Sequence, residues 1–343
     1  MNTFIIAEAG VNHNGDTALA LELVDIAADA GADAIKFQTF SADRLVREGA
    51  PKAEYQRTQT GDGDQHQMLK ALELPEASYE ALVQRCAARG IEFMSTPFDE
   101  EAASFLIGLG MRRIKVPSGE ITNIPFLKVL AAYGVPLILS TGMANLQEVE
   151  AAVAAVQATR EALGHTGKLS DYVTVLHCTS NYPAAAADVN LRAMATMRQA
   201  LNLPIGYSDH TDGIAISIAA VAQGASVIEK HFTISRDMKG PDHKASLEPA
   251  ELRTMVQSIR LVEQAQGDGV KTPAQKELAV RDLVRRSVTS AAAIKKGEVF
   301  GAHNLTLLRP GTGIAPADLA NLYGKTATHD IPSRTTLTWT DVE

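Results

Sequence analysis

Short apolar segments alternate with amphipathic segments from residue 4 to about residue 265 of this chain. The apolar segments have the length and composition of buried strands, whereas the segments between them repeat apolar residues at helical spacing. An alternation of this kind predicts a parallel sheet, because two consecutive parallel strands need a connection long enough to hold a helix.

The alternation contains eight strand–helix units, and eight is the number that closes a (β/α)8 barrel. We therefore predict a TIM barrel over residues 1–266. The alternative is an open doubly wound sheet, but no Gly-x-Gly-x-x-Gly sequence follows the first strand. The predicted strands are residues 4–9, 34–37, 91–95, 113–116, 136–139, 172–176, 203–207 and 225–228.

Two stretches depart from the alternation. A polar insertion, residues 41–70, follows the second strand, and long excursions at this place in a strand–helix unit are often functional. Residues 267–284 are predicted to be a linker with a short helical piece. Residues 285–343 contain short strands and turns, so we predict a small C-terminal domain that rests on a barrel, its own or a partner's.

Polar side chains crowd the ends of the predicted strands, which is where a TIM barrel carries its chemistry. Packing of the barrel interior alone does not require polar groups on every strand. The strand-end residues that we single out are Glu8, Lys36, Gln38, Ser95, Lys115, Ser118, Glu120, Ser140, Ser180, Asn181, Tyr182, Ser208, His210, Glu229 and His231.

Lys36 and Lys115 predict an anion site, because a lysine that points into a barrel mouth is costly to bury without a negative partner. Hydroxyls of Ser118, Ser140 and Ser208 would add hydrogen-bond donors. Each lysine could instead pair with a carboxylate of the chain, and a Schiff-base role is a third alternative.

His210 and His231 end neighbouring strands, and two such imidazoles can share one divalent metal. The alternative is that each histidine is satisfied by local hydrogen bonds. Glu8, Glu120 and Asp242 are candidates for general acid or base, or for structural partners of a lysine or histidine. We favour Glu8 because it ends the first strand.

The composition limits the partners. A net charge of −8 argues against general affinity for nucleic acid, so an anionic substrate needs a local positive site. No basic segment precedes the first apolar run, and the apolar runs are too short to cross a bilayer. We expect a soluble, cytoplasmic protein that does not associate with membranes.

The motifs at the strand ends resemble the motif series of the sialic acid synthases. Examples are Ile35-Lys-Phe-Gln38 and Glu229-Lys-His-Phe-Thr233, and Arg309-Pro-Gly-Thr-Gly313 resembles the antifreeze-like (β-clip) domain of that family. The resemblance covers nearly the whole chain in order. The motifs that carry it in the barrel are residues 6–15, 35–38, 95–98, 115–120, 139–143, 177–183, 206–211, 229–233 and 240–243.

This resemblance implies that the chain condenses phosphoenolpyruvate with an N-acyl mannosamine-type sugar and releases phosphate. The first expectation is N-acetylneuraminate synthesis from N-acetylmannosamine. It also implies a divalent metal, Mn²⁺ or Mg²⁺, on His210 and His231. The remaining implied roles are acid/base for Glu8, phosphoenolpyruvate contacts for Lys36, Lys115, Ser118, Ser140 and Ser208, and sugar contacts for Gln38, Tyr182 and Asp242.

Family members are homodimers in which the C-terminal domain of one subunit caps the barrel of the other. In such a dimer Arg309 would reach the sugar of the partner subunit. The segment Thr179-Ser-Asn-Tyr182 leaves open whether Ser180 or Asn181 contacts phosphoenolpyruvate.

The same segment admits close relatives that make legionaminic or pseudaminic acid from a 2,4-diacetamido-6-deoxy hexose. More remote alternatives are a keto-sugar-phosphate synthase, which would need a second phosphate site, and a non-catalytic sugar- or ice-binding protein. The latter leaves the strand-end lysines and histidines unexplained.

Overall fold

The computed structural model describes residues 2–343 and divides into two compact units, Met1–Gly267 and Asp268–Glu343. The first unit contains eight parallel strands, so the predicted TIM-type architecture is confirmed. The strands are β1 (Phe4–Gly10), β2 (Ala34–Thr39), β3 (Glu92–Pro97), β4 (Ile114–Val116), β5 (Leu137–Ser140), β6 (Val173–Cys178), β7 (Ile205–Asp209) and β8 (Val227–His231).

The strands curl into a near-closed barrel, because β1 pairs with both β2 and β8. The hydrogen-bonded order is β3-β2-β1-β8-β7-β6-β5-β4. β3 and β4 lie next to each other at the remaining seam, where residues 2–343 form no backbone ladder. All eight strands therefore direct their carboxyl ends to one face of the barrel.

Eight longer helices surround the strands. They are α1 (Thr17–Ala30), α5 (Ser78–Arg89), α6 (Glu100–Gly108), α7 (Ile124–Ala132), α8 (Leu146–Ala162), α10 (Ala193–Leu201), α11 (Ala215–Ala222) and α12 (Pro249–Gln266). Local capping residues set the start and the end of the first of these helices. The side chain of Asp16 accepts a hydrogen bond from the backbone N–H of Ala18, and Gly31 ends the helix at a φ of 81°.

The predicted polar insertion folds into three short helices, α2 (Ala42–Leu45), α3 (Glu54–Thr60) and α4 (Gln65–Lys70). A fourth short helix, α9 (Ala186–Val189), follows β6. No helix within residues 2–343 is both long and apolar enough to span a membrane.

The barrel interior has an apolar floor. Gly206 belongs to this floor because a Cβ atom there would lie 2.5 Å from the carbonyl oxygen of Val227 and 2.6 Å from a methyl group of Leu176. Strand side chains alternate between the two faces of a sheet, so the next inward position on each strand lies two residues later. The floor consists of Ile6, Ala34, Met94, Ile138, Leu176 and Val227. The positions two residues later are Glu8, Lys36, Thr96, Ser140, Cys178 and Glu229.

β7 and β8 begin and end about two residues later than the sequence predicted. The prediction followed apolar residues alone, whereas the barrel continues its backbone ladder through polar residues such as Ser208, which pairs with Glu229. As a result His231 is the last residue of β8, and His210 directly follows β7.

The second unit begins with a helix, α13 (Gln275–Val284), which lies within residues 267–284, where the sequence predicts a short helical piece. Two antiparallel strands, β9 (Ser287–Ser290) and β10 (Leu305–Leu308), and a short helix, α14 (Leu319–Leu322), follow. Apolar residues from this whole segment, including Val288, Phe300 and Leu337, form a separate small core.

Candidate active site

A cavity of about 470 Å³ opens at the carboxyl ends of the barrel strands. Most residues that the sequence singled out for a site line this cavity. They are Glu8, Lys36, Gln38, Lys115, Ser118, Ser140, Ser180, Tyr182, Ser208, His210 and His231. Long-range packing thus brings together side chains from seven of the eight strands or their following loops.

Three buried charges form the lower wall of the cavity. The carboxylate of Glu229 lies 3.3 Å from Nζ of Lys115 and 3.7 Å from Nζ of Lys36. Ser208 donates a 3.0 Å hydrogen bond to Glu229. Burial acts to raise the pKa of Glu229, but Lys115 and Lys36 outweigh it and hold this pKa at about 2. Glu229 is therefore ionised and neutralises part of the lysine charge.

Sequence reasoning noted Glu229 at a strand end but did not assign it to the site. A signal existed, because Glu229 stands two residues before His231 and therefore faces the same side of β8.

Glu8 pairs with Lys36 at 2.6 Å, and Lys36 also donates a 2.9 Å hydrogen bond to Thr96. Burial raises the pKa of Glu8 to about 7, with Lys36 opposing this shift and Glu229 adding to it. Gln38 donates a hydrogen bond of 3.4 Å to the same carboxylate. Glu8 is thus a buried carboxyl group that can hold or release a proton near neutral pH.

Hydroxyl groups also line the cavity. The Oγ atom of Ser118 accepts a 3.0 Å hydrogen bond from the backbone N–H of Gly142, and Ser140 Oγ is buried without a partner among residues 2–343. A Cβ at Gly142 would lie 2.1 Å from Ser180 Oγ and 2.8 Å from Ser118 Oγ. The loop after β5 therefore needs glycine to bring these hydroxyls close together.

Together, two buried lysines and three hydroxyls form a compact site for an anion. Burial lowers the pKa of Lys115, although Glu229 counteracts it. An anionic ligand between the lysines would favour their charged forms.

His210 and His231 lie side by side, with 5.6 Å between ring centroids. Nδ1 of His210 is 2.8 Å from the carbonyl oxygen of Thr179, so this nitrogen donates and leaves Nε2 as the free acceptor. His231 is buried, and its Nδ1 has no partner among residues 2–343. Burial lowers the pKa of His231 well below its usual range. A neutral imidazole with an unpartnered nitrogen fits a metal ligand.

Few side chains that could bind a metal lie beside His210 and His231. Within residues 2–343 no cluster of three or more His, Cys, Asp or Glu side chains is arranged to hold a metal ion. Two histidines would leave several coordination positions for water and substrate, as in a catalytic rather than a structural site.

The insertion after β2 covers part of the cavity. Tyr55, from α3, stacks on Tyr182 with ring centroids 5.3 Å apart, and Tyr182 packs on His210 at 4.1 Å. Gln56 and Gln65 also line the cavity. Sequence reasoning predicted that the insertion matters but did not identify these residues, because nothing local indicates which of them fold over the barrel.

Four sequence candidates do not line the cavity that residues 2–343 form. Glu120 accepts a 2.6 Å hydrogen bond from Asn123, and Asn181 is exposed and binds the backbone N–H of Tyr182. Asp242 is buried, which raises its pKa to about 6, and nearby His210 opposes the shift. The fourth is Ser95, which is buried and shares a 2.7 Å hydrogen bond with Thr39. Arg309 is an exposed residue of the second unit, and its role in a partner's site stays a prediction. Of the pair left open, Ser180 lines the cavity.

Comparisons with known proteins agree with this arrangement. Residues 23–271 match the NeuB family, and residues 285–343 match the SAF domain. The chain is 51% identical to N,N'-diacetyllegionaminic acid synthase of Legionella pneumophila over 344 residues, which cover 100% of this chain and 95% of that protein. It is 36% identical to human N-acetylneuraminate-9-phosphate synthase, over 94% of this chain and 88% of that protein.

The fold is similar to that of a solved N-acetylneuraminic acid synthetase from Leptospira borgpetersenii. The two chains superpose with a TM-score of 0.71 at 35% identity, over 82% of this chain and 90% of the other.

Proposed function

The chain belongs to the NeuB family, and we propose that it is a synthase of the legionaminic acid class. In this proposal it condenses phosphoenolpyruvate with a 2,4-diacetamido-6-deoxy hexose and releases phosphate. The observation that carries the choice of sugar is the 51% identity to a diacetyllegionaminic acid synthase over the whole chain. N-acetylneuraminate synthesis, the first expectation from the sequence, is supported only by relatives of lower identity, such as the human protein at 36%.

The lysines and hydroxyls of the cavity support a phosphoenolpyruvate site. Lys36 and Lys115 would pair with the phosphate and carboxylate, and Ser118, Ser140 and Ser208 would donate hydrogen bonds to them. These groups lie on strand ends and adjoining loops, so they hold the enol with its C3 carbon aimed at the sugar aldehyde. Holding two reactants in this way supplies a large part of the rate enhancement.

The proposed condensation forms and breaks bonds in the following order. The C2=C3 pair of the enol forms the new bond to the aldehyde carbon, whose oxygen takes up a proton. Water adds to the electron-deficient C2 carbon and loses a proton. The bond from C2 to the phosphate oxygen breaks and its electron pair leaves with phosphate. The hydroxyl on C2 loses its proton as the C2=O bond of the keto acid forms. Glu8, which is buried in the cavity and has a pKa raised to about 7, would accept or supply one of these protons.

His210 and His231 would hold the divalent metal, Mn²⁺ or Mg²⁺. When bound, the metal supplies Lewis-acid polarisation of the aldehyde oxygen. Thr179 orients one imidazole through Nδ1, and Tyr182 packs against its face.

Aromatic and amide side chains support the sugar side of the site. Tyr55 and Tyr182, whose rings stack on each other, add aromatic surface to the cavity lining that suits the methyl groups of an acetamido, deoxy sugar. Gln38 provides an amide for polar groups of the sugar, and Asp242 lies close enough to His210 for the imidazole to lower its pKa. We further propose a homodimer in which the second unit of one copy caps the barrel of the other and brings Arg309 to the sugar.

The direct test compares two sugars as substrates for the condensation with phosphoenolpyruvate. Phosphate release from phosphoenolpyruvate is measured with N-acetylmannosamine and with 2,4-diacetamido-2,4,6-trideoxymannose under the same conditions. We expect kcat/KM to favour the diacetamido sugar by at least about 100-fold. A preference for N-acetylmannosamine would refute the choice of sugar but not the reaction class. Activity should vanish on exhaustive chelation and return with Mn²⁺, and full activity without metal would refute the metal site.

A further inference from the structure

A second buried ion pair lies behind the two histidines. Asp209 on β7 and Lys230 on β8 are paired in the ladder between these strands, with Nζ 3.1 Å from Oδ2. Neither side chain is exposed to solvent at all (0% for both). Because strand side chains alternate, these two face the helix layer, while the next residue on each strand, His210 or His231, faces the cavity.

Asp209 and Lys230 also make hydrogen bonds that hold the backbone next to His210. Asp209 Oδ1 accepts from the backbone N–H of Thr211 at 2.9 Å and from its hydroxyl at 2.8 Å. Ser217, on α11, donates a 2.6 Å hydrogen bond to Oδ2. Lys230 Nζ donates to the carbonyl oxygen of Thr211. Lys230 therefore binds the residue before His210 and the residue after it.

Two polar groups of His210 itself are also held. Its carbonyl oxygen accepts a 2.8 Å hydrogen bond from the backbone N–H of Ala184, and its Nδ1 binds Thr179. The position and the rotation of this imidazole are thus determined by contacts that reach the helix layer and the loop after β6.

Charged side chains are unusual at the corresponding positions of the other strands. On β1, β2 and β4 the residues that follow the inward-facing Glu8, Lys36 and Lys115 are apolar and buried. These residues are Ala9, Phe37 and Val116. A buried ion pair is often no more stabilising than apolar residues of the same volume, but it is strongly directional. The charged pair occurs on the two strands that carry the histidines.

We propose that Asp209 and Lys230 are positioning residues that hold His210 and His231 in the relative placement that a shared divalent metal requires. This inference rests on the metal site of the proposed function. Outer partners of metal ligands commonly change metal affinity by 10–100-fold when they are removed.

The test measures Mn²⁺ affinity of the metal-free full chain, with free Mn²⁺ followed by its electron paramagnetic resonance signal. The double variant D209N/K230M removes both charges and keeps the side-chain volumes. We expect its Kd for Mn²⁺ to rise at least about tenfold. Ser217→Ala removes one hydroxyl from Asp209 and should raise the Kd about threefold. If the double variant does not fold, Ser217→Ala still tests the proposal.

The matched control is E92Q/R113M. Glu92 and Arg113 form another ion pair, of 2.7 Å, at the amino ends of β3 and β4, on the opposite side of the barrel from the cavity. Its loss should lower stability without changing the Kd for Mn²⁺. An equal rise in Kd in this control would refute the inference, as would a parental Kd in folded D209N/K230M or, if that variant does not fold, in Ser217→Ala.

A second readout needs no metal. Hydrogen exchange of the Thr211 and Ala184 amides should become at least about tenfold faster in D209N/K230M, or in Ser217→Ala if the double variant does not fold, and not in the control. If the parent chain binds no Mn²⁺, the proposed metal site is wrong. The exchange rates then decide by themselves whether the pair holds the His210 segment, and unchanged rates would refute the inference.

Discussion

Glu229 places a carboxylate oxygen 3.3 Å from the ammonium nitrogen of Lys115, inside a cavity that reaches both side chains. The same carboxylate lies 3.7 Å from Lys36. The protein therefore balances a cationic binding site with a carboxylate of its own before any ligand enters. A phosphate dianion and a carboxylate together carry more negative charge than Glu229. They therefore attract the two lysines more strongly than Glu229 does and can bind beside it.

The first prediction concerns this balance. Glu229→Gln leaves two buried lysines without their shared partner, and we expect the free energy of unfolding to fall by about 3 kcal/mol. Inorganic phosphate should restore more stability in the variant than in the parent, because it replaces the lost charge. Urea denaturation with and without phosphate measures both effects. The exposed control Glu48→Gln should behave as the parent, and an unchanged stability of Glu229→Gln would contradict the prediction.

The second prediction is a pH dependence of stability. Burial raises the pKa of Glu8 from 4.5 to about 7, so between these values the native state holds a proton that the unfolded chain has released. The stability from this group is present below pH 4.5 and is lost as pH rises through 7, by about 3 kcal/mol. Glu229, with its pKa lowered to about 2, acts oppositely and loses its contribution as pH falls below 4.5.

Glu8→Gln should therefore flatten the decline in stability above pH 4.5 and leave the loss at lower pH intact. The check is a series of chemical denaturations between pH 3 and 8 on the parent and this variant. A parental slope between pH 5 and 7 in Glu8→Gln would show that another group is responsible.

The third prediction concerns the glycine between the two serines. A Cβ at Gly142 would lie 2.1 Å from Ser180 Oγ, so Gly142→Ala must displace at least one hydroxyl of the anion site. We expect the KM for phosphoenolpyruvate to rise at least about tenfold through the loss of a charge-assisted hydrogen bond. Gly108→Ala, in α6, is the control because its Cβ would meet open space. Similar KM values for both variants would count against the anion site.

The fourth prediction concerns the insertion. Tyr55 stacks on Tyr182 over the cavity, so Tyr55→Ala should raise the KM for the sugar about tenfold and leave that for phosphoenolpyruvate unchanged. Arg57→Ala replaces an exposed residue of the same helix and serves as the control. Steady-state kinetics with each substrate varied in turn make the comparison. If both KM values rise together, Tyr55 acts on the whole site and not on the sugar.

The fifth prediction concerns the dimer. Arg309→Ala should impair use of the sugar, and Lys115→Ala should abolish phosphoenolpyruvate use. If C-terminal units are exchanged, an equal mixture of the two variants recovers roughly a quarter of the parental activity, because mixed dimers contain one intact site. Activity is measured after the subunits have been allowed to reassociate. No recovery in mixed dimers would argue that each barrel uses its own C-terminal unit.

Much of the fold and part of the site could be predicted from the sequence. Lys36 and His231 are recognisable because a polar residue that follows an apolar strand in a strand–helix unit belongs to the carboxyl end of a barrel. Glu120 and Asn181 satisfy the same rule, but a local hydrogen bond to Asn123 and solvent exposure keep them out of the cavity lining. Position after a strand predicts the side of the barrel and not the direction of a loop side chain.

The sequence by itself determined the barrel and the types of chemical group at its mouth, because strand periodicity and strand–helix alternation are local properties. Only the tertiary structure decided which groups meet. Glu229 pairs with lysines from two other strands, and Tyr55 stacks on Tyr182. Lys230 donates a hydrogen bond to the backbone next to His210. These contacts depend on the closure of the sheet and the course of a long insertion, which residues far apart in the chain determine together.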